Sequence, residues 1–197
     1  AKKIDSKSFQ YLGELPGVNT PSDIDGVPSM DDQNNFYLVS LRSFGIGDVF
    51  ESIYRGKFTG EGVENIELAG EIAEGRKFPW INMDAEISRD GKTLYAVDAY
   101  FEGKPLIPTK SDIRIMEMKD NKFVTTSNSK EILKNINTED FLEYAPAISN
   151  DGLEIYFNRT TANDLIKNQT AYILIATREN KSSPFGIPKI IESIAGF

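Results

Sequence analysis

Residues 143–160 read EYAPAISNDGLEIYFNRT, and about sixty residues earlier the chain reads MDAEISRDGKTLYAVDAY. A sequence that repeats itself at that period constrains a fold more than any composition does, because each copy must become the same small unit. A third copy, GVPSMDDQNNFYLVS, covers Gly26 to Ser40 less closely. Met30, Ile87 and Ile148 share one apolar position in the three copies, and Tyr37, Tyr95 and Tyr156 share another. Within each copy apolar and polar residues alternate, as they do in a half-buried strand. Asp90-Gly91 and Asp151-Gly152 supply the turn between two strands, because glycine adopts the positive φ that a Cβ obstructs. The first copy has DDQNN there, in which Asn is the residue best able to replace Gly.

The repeat continues past the hairpin. DVFESIYR, DIRIMEMK and AYILIATR read as third strands ending on Arg55, Lys119 and Arg178. A loop phenylalanine follows each: Phe58, Phe123 and Phe185, with Phe9 in KSFQY as a fourth instance. Their recurrence marks these rings as packing residues. ENIELAGEI, KEILKNI and PKIIESI are then expected to be fourth strands. KEILKNINTEDFLEY is the best helical candidate, but the repeat assigns its first half to a strand.

Four short antiparallel strands per unit, repeated in series, predict an all-β chain of the β-propeller type, with four-stranded blades. The expected arrangement is one domain over 1–197 with approximate repeats at 19–78, 79–139 and 140–197. A β-sandwich also has short alternating strands, but it has no reason to repeat at this period. About three blades are present, and closed propellers need about 4–8. ELPGV (14–18) aligns with SIAGF (193–197), so the ring is expected to be incomplete. Further blades of a longer polypeptide are the favoured completion, and a second copy or a partner is the other.

The chain holds neither Cys nor His. Disulfides, Cys/His zinc sites and every histidine-based triad are therefore excluded. Carboxylates, Lys, Tyr and Ser remain as chemical groups. The formal net charge of -8 disfavours nucleic acid and anionic membrane surfaces as partners. No apolar run approaches the ~18 residues of a membrane-crossing helix, so direct membrane insertion is not expected. The opening residues, AKKIDSKSF, hold no apolar leader core, and Ala1 fits the residue after a cleavage site.

PAISNDGLEIYF and AEISRDGKTLYA resemble the Pro/Ser–Asp–Gly repeats of TolB-like β-propellers. YILIATRENKSSPFGIP resembles the blade end of a related group in secreted bacterial proteins. The third unit matches well, the second has Ala85 where the family has Pro, and the first lacks the Asp-Gly turn. The resemblance implies a binding platform of the cell envelope, in the periplasm or at the cell surface, without implying a ligand.

Hairpin geometry puts the start of each first strand and the end of each second strand on one rim. Asp25, Asn82 and Glu143 lie at the starts; Ser40, Asp98 and Asn158 lie at the ends. Arg42, Tyr100 and Arg159 follow just beyond, and Trp80 precedes the second copy. This rim is the expected partner surface, for a protein or a glycan. Charge reversal at Asp98 and Glu143 is expected to weaken binding and to spare the fold. The alternative is that these acids satisfy backbone groups at strand ends. A carboxylate glycosidase using Asp25, Asp98 and Glu143 is a competing function, but acids at repeat-equivalent positions favour a structural origin. Asp23, Asp25, Asp31 and Asp32 suggest calcium only weakly, since Asp-rich turns arise for turn reasons alone, and no cofactor is expected. Asp48 and Asp112 read as turn caps. Residues 160–169 read as a polar insertion.

Overall fold

The computed structural model describes residues 2–21, 24–42, 53–70, 76, 79–102, 107–167 and 170–192. It is all-β, with 51% of the described residues in strands and 7% in helix. A small hairpin of β1 (Lys2–Lys3) and β2 (Phe9–Gln10) comes first. Next come β3 (Asp25–Met30), β4 (Asn35–Ser40), β5 (Ile53–Phe58) and β6 (Val63–Gly70), each antiparallel to the one before. The pattern recurs with β7 (Trp80–Ile87), β8 (Thr93–Phe101), β9 (Pro108–Lys119) and β10 (Lys122–Thr125). After helix α1 (Ser129–Ile132) it recurs as β11 (Leu142–Ile148), β12 (Glu154–Thr160), β13 (Tyr172–Thr177) and β14 (Lys189–Ile190). A second helix, α2 (Ala162–Lys167), lies between β12 and β13.

The first two meanders are not separate sheets. Phe123 of β10 pairs in parallel with Gly70 of β6, giving one eight-stranded sheet in the order β3-β4-β5-β6-β10-β9-β8-β7. Its end strands also meet: Ser29 Oγ donates to Glu86 Oε2 at 2.8 Å, and the Ile87 amide donates to Ser29 Oγ at 3.1 Å. The sheet is therefore nearly closed and barrel-like, and its two halves enclose Tyr37, Ile53, Leu94, Met116 and Phe123. A larger core joins the second meander to the four-stranded sheet β11-β12-β13-β14 through Tyr95, Ile113, Leu133, Phe157 and Phe185. A third cluster, with Val18, Phe36, Leu38 and Tyr54, lines the far side of the first meander.

Each leading strand is bulged. The register slips between Gly26 and Ser29, between Asn82 and Asp84, and between Tyr144 and Ala147. In the first and third copies the residue before proline is left-handed, Val27 at φ 51 and Ala145 at φ 50. Pro28 and Pro146 have no N–H to place in a ladder, so the bulge falls where no bond is lost. The second copy has Ala85 instead of Pro and bulges earlier.

Several expectations need correction. KEILKNI does not form a fourth strand. Asp120 and Asn121 both adopt positive φ, 49 and 67, a tight two-residue hairpin turn that sends the chain back at once as β10. KEIL is thereby released to become helical, and it buries Ile132, Leu133 and Ile136. Met30 is 48% exposed while its counterpart Ile87 is 3% exposed and Ile148 is half-buried against the larger core. Phe9 is 64% exposed, whereas Phe123 and Phe185 are fully buried. Met30 lies on β3, an end strand of its sheet, and Phe9 on the small two-stranded β1–β2 hairpin. The polar insertion contains α2, with no buried residue. Asp23, Asp48 and residues 193–197 lie outside the described residues.

Candidate functional site

The rim residues fall into three clusters, one per repeat, and each is built around a carboxylate. In the first, Asp25 Oδ2 accepts the Thr20 amide at 2.6 Å and the Thr20 hydroxyl at 2.7 Å, while Arg42 Nη2 reaches Oδ1 at 2.9 Å. Arg42 also donates to Ser40 Oγ and to the Val18 carbonyl, and lies over the Tyr54 ring. Burial works to raise the Asp25 carboxyl, but hydrogen bonds from Ser40, Arg42 and Thr20 together outweigh it and hold the group at about 2.

The third cluster repeats this plan. Thr138 donates its hydroxyl to Glu143 Oε1 at 2.9 Å and its amide to Oε2 at 3.3 Å. Arg159 Nε donates to Oε1 at 2.9 Å and Nη2 to the Ile136 carbonyl at 2.7 Å. Glu143 has no exposed surface. Its carboxyl is pushed up, because burial outweighs the help from Thr138 and Arg159. In both clusters a threonine five positions ahead of the acid closes the entry loop. That spacing was legible beforehand in T20…D25 and T138…E143.

The second cluster uses different residues. Asp98, with no exposed surface, accepts Asn82 Nδ2 at 2.7 Å and Arg114 Nε at 2.9 Å on Oδ1, and Arg76 Nη1 at 3.0 Å on Oδ2. Arg76 Nη2 reaches Asp112 Oδ2 at 2.7 Å, and its guanidinium stacks 3.9 Å from the centroid of Trp80. Trp80 and Tyr100 are cross-strand partners with ring centroids 5.2 Å apart. Burial pulls the Arg114 pKa down and Asp98 pushes it back up; a guanidinium remains charged throughout. Asp112, expected as a turn cap, is thus an ion-pair partner. Asn158 does not join a cluster, and pairs along the ladder with Tyr144 and Ile173.

Arg76 and Arg114 were not singled out from the sequence, since neither has a counterpart in the other copies. Together with Asp112, Thr125, Ser127 and Lys130 they border an open cleft of about 390 Å³ beside the rim. On the opposite, turn-bearing rim a smaller cavity of about 160 Å³ separates the Asp90 and Asn150 turns. Arg178 fills its wall, donating to the Gly152 and Lys181 carbonyls and to Tyr95 Oη.

Two more acids, Asp84 buried and Glu86 half-buried, lie between leading strands. Asp84 accepts the Ala145 amide at 2.9 Å, and Glu86 accepts Ser29 Oγ. Burial raises both carboxyls. For calcium, the arrangement offers little: Asp31 accepts the amides of Gln33 and Asn35, Asp32 pairs with Arg89, and Asp25 is held by Arg42. Among the described residues no group of three or more acidic side chains is placed to hold a metal ion. No described helix is long and apolar enough to cross a membrane. No protein-family model matches the chain, and no curated protein matches it.

Proposed function

We propose that this chain is a non-catalytic binding or scaffold module, a β-propeller array in which each meander is one blade, related to the TolB-like repeats of the bacterial cell envelope. Its partner is a protein or a glycan that meets the rim at the second blade, where Trp80, Tyr100 and Arg76 form a half-buried platform. Planar aromatic faces with an adjacent guanidinium suit a sugar ring or a peptide carbonyl. The observation that carries the non-catalytic reading is the state of the rim acids. Asp25, Asp98 and Glu143 are each closed off by an arginine within their own repeat. A glycosidase needs two carboxyls facing one bond, with a water or a sugar between them.

A glycan array and capture from an envelope extract, each run with the unaltered chain and with Trp80→Ala, test the reading. Retention of one glycan or one protein that Trp80→Ala abolishes supports it. Turnover of a polysaccharide that Glu143→Gln abolishes replaces it with the glycosidase.

A further inference from the structure

Past the Asp120-Asn121 turn the chain returns as β10 and then enters α1, so Thr125, Ser127 and Lys130 come to border the cleft of about 390 Å³ that Arg76, Asp112 and Arg114 also border. That volume is in the range of small-ligand sites, about 300–1,000 Å³. Most of the charge there is already matched. Arg114 pairs with Asp98, Arg76 with Asp98 and Asp112, and Lys134 with Glu131 at 2.8 Å. Lys130 differs. It is exposed, and among the described residues its ammonium meets no acid and no hydrogen-bond acceptor.

Two hydroxyls of the same cleft also have a proton to give. Thr125 Oγ1 accepts Arg114 Nη1 at 2.8 Å, which leaves its own O–H to donate. Ser127 is exposed, and its side chain makes no hydrogen bond among the described residues. The acid that borders the cleft, Asp112, has Oδ2 taken by Arg76. An ammonium and two hydroxyls bordering one space favour a ligand oxygen that accepts hydrogen bonds and carries negative charge. The formal net charge of -8 supplies no general attraction for anions, so this preference is local to the cleft.

We infer that the rim takes an anionic glycan: a pyranose ring lies on the Trp80–Tyr100 platform, and its carboxylate or sulfate enters the cleft toward Lys130. The inference rests on the rim reading proposed above and specifies its partner. Arg76 joins the two parts, since its guanidinium stacks on Trp80 and also borders the cleft. In a sugar acid the ring and the charge belong to one rigid residue, so both contacts form without ordering a flexible side chain. An acidic peptide has to fix a rotamer-rich side chain to reach the same place, which disfavours it.

Isothermal titration calorimetry on the intact 197-residue chain tests it. The probes are alginate and galacturonan oligosaccharides with their carboxyl-reduced counterparts, dextran sulfate oligosaccharides with unsulfated dextran, and hexaglutamate. At least one anionic sugar is expected to bind about tenfold or more tighter than its neutral counterpart, and the carboxylate and sulfate pairs tell which substituent is taken. Lys130→Ala is expected to remove that preference and leave the affinity for the neutral sugar as it was, while Lys92→Ala, on the turn-bearing rim, keeps it. Thermal melts check that the fold is kept; should Lys130→Ala melt low, Ser127→Ala replaces it. Trp80→Ala is expected to weaken charged and neutral sugars alike. Equal binding of charged and neutral sugars that Trp80→Ala still weakens overturns the inference and leaves the rim reading standing. Sugar binding that Trp80→Ala does not weaken overturns both. Hexaglutamate binding as tight as that of the sugars, a preference that survives Lys130→Ala, or no binding by any sugar also overturns the inference.

Discussion

At the Asp25 carboxyl, three kinds of donor converge on one group that is almost wholly buried, and the sign of its pH effect follows. A carboxyl held below its unfolded value stabilises the fold at higher pH and loses that contribution as pH falls through the folded value. Asp25 moves from 3.8 to about 2. Its contribution, about 2 kcal/mol, is complete above roughly pH 5 and vanishes by roughly pH 1. Asp25→Asn should lose that acid dependence, seen as a flatter plot of urea midpoint against pH in this window. Asp98 and Glu143 make the opposite point about legibility. Their place on one rim was readable from the repeat, but their burial was not: Arg76 and Arg114, which close over Asp98, have no counterparts in the other copies, and the rim position of Arg159 carried no sign that it would close over Glu143 together with Thr138. Reversing both charges would bury a lysine among arginines and leave the old cations unpaired. The expected cost is about 3 kcal/mol or more at each site, so the double variant should be largely unfolded by circular dichroism. That replaces the expectation of an unchanged melting temperature.

Among the elements, the leading strands carry the clearest strain. Val27 is β-branched and sits at φ 51, a region costing about 1–2 kcal/mol for residues with a Cβ. It is 39% exposed and gives up little burial on truncation. Val27→Gly should therefore raise stability by about 0.5–1 kcal/mol, after the extra entropy of an unfolded glycine is subtracted. Denaturant titration reads it directly. The first and second strands of all three copies could be read from alternation and turn residues alone, since both signals are local. The helix at Ser129–Ile132 could not, because the repeat spoke for a strand and the decisive residues lay just upstream. Asp120-Asn121 makes a hairpin as tight as Asp-Gly would, without the glycine that announces one.

Across the whole molecule, the same residue has a different worth according to what stands beside its sheet. Phe185→Ala should cost about 3–5 kcal/mol, because the ring is fully buried between two sheets. Phe9→Ala should change the stability of the dilute chain by no more than about 0.5 kcal/mol. Paired melts of the two variants check both. The serial architecture was visible in the period of the sequence, but the union of β6 with β10 was not. A single parallel pair, Gly70 with Phe123, joins segments far apart in the chain and leaves no local mark. That pair also divides the molecule unevenly. The first two meanders share one backbone ladder, whereas the third sheet is held to them by side chains: Asp84 on the Ala145 amide, Ser111 on the Glu143 carbonyl, Arg178 on Tyr95, and the apolar core. A boundary without strand pairing is where a cooperative unit ends. On the timescale of native-state hydrogen exchange, β11 to β14 should open as one group at a lower free energy than β8 and β9, so that this protein comes apart from its C-terminal sheet inward.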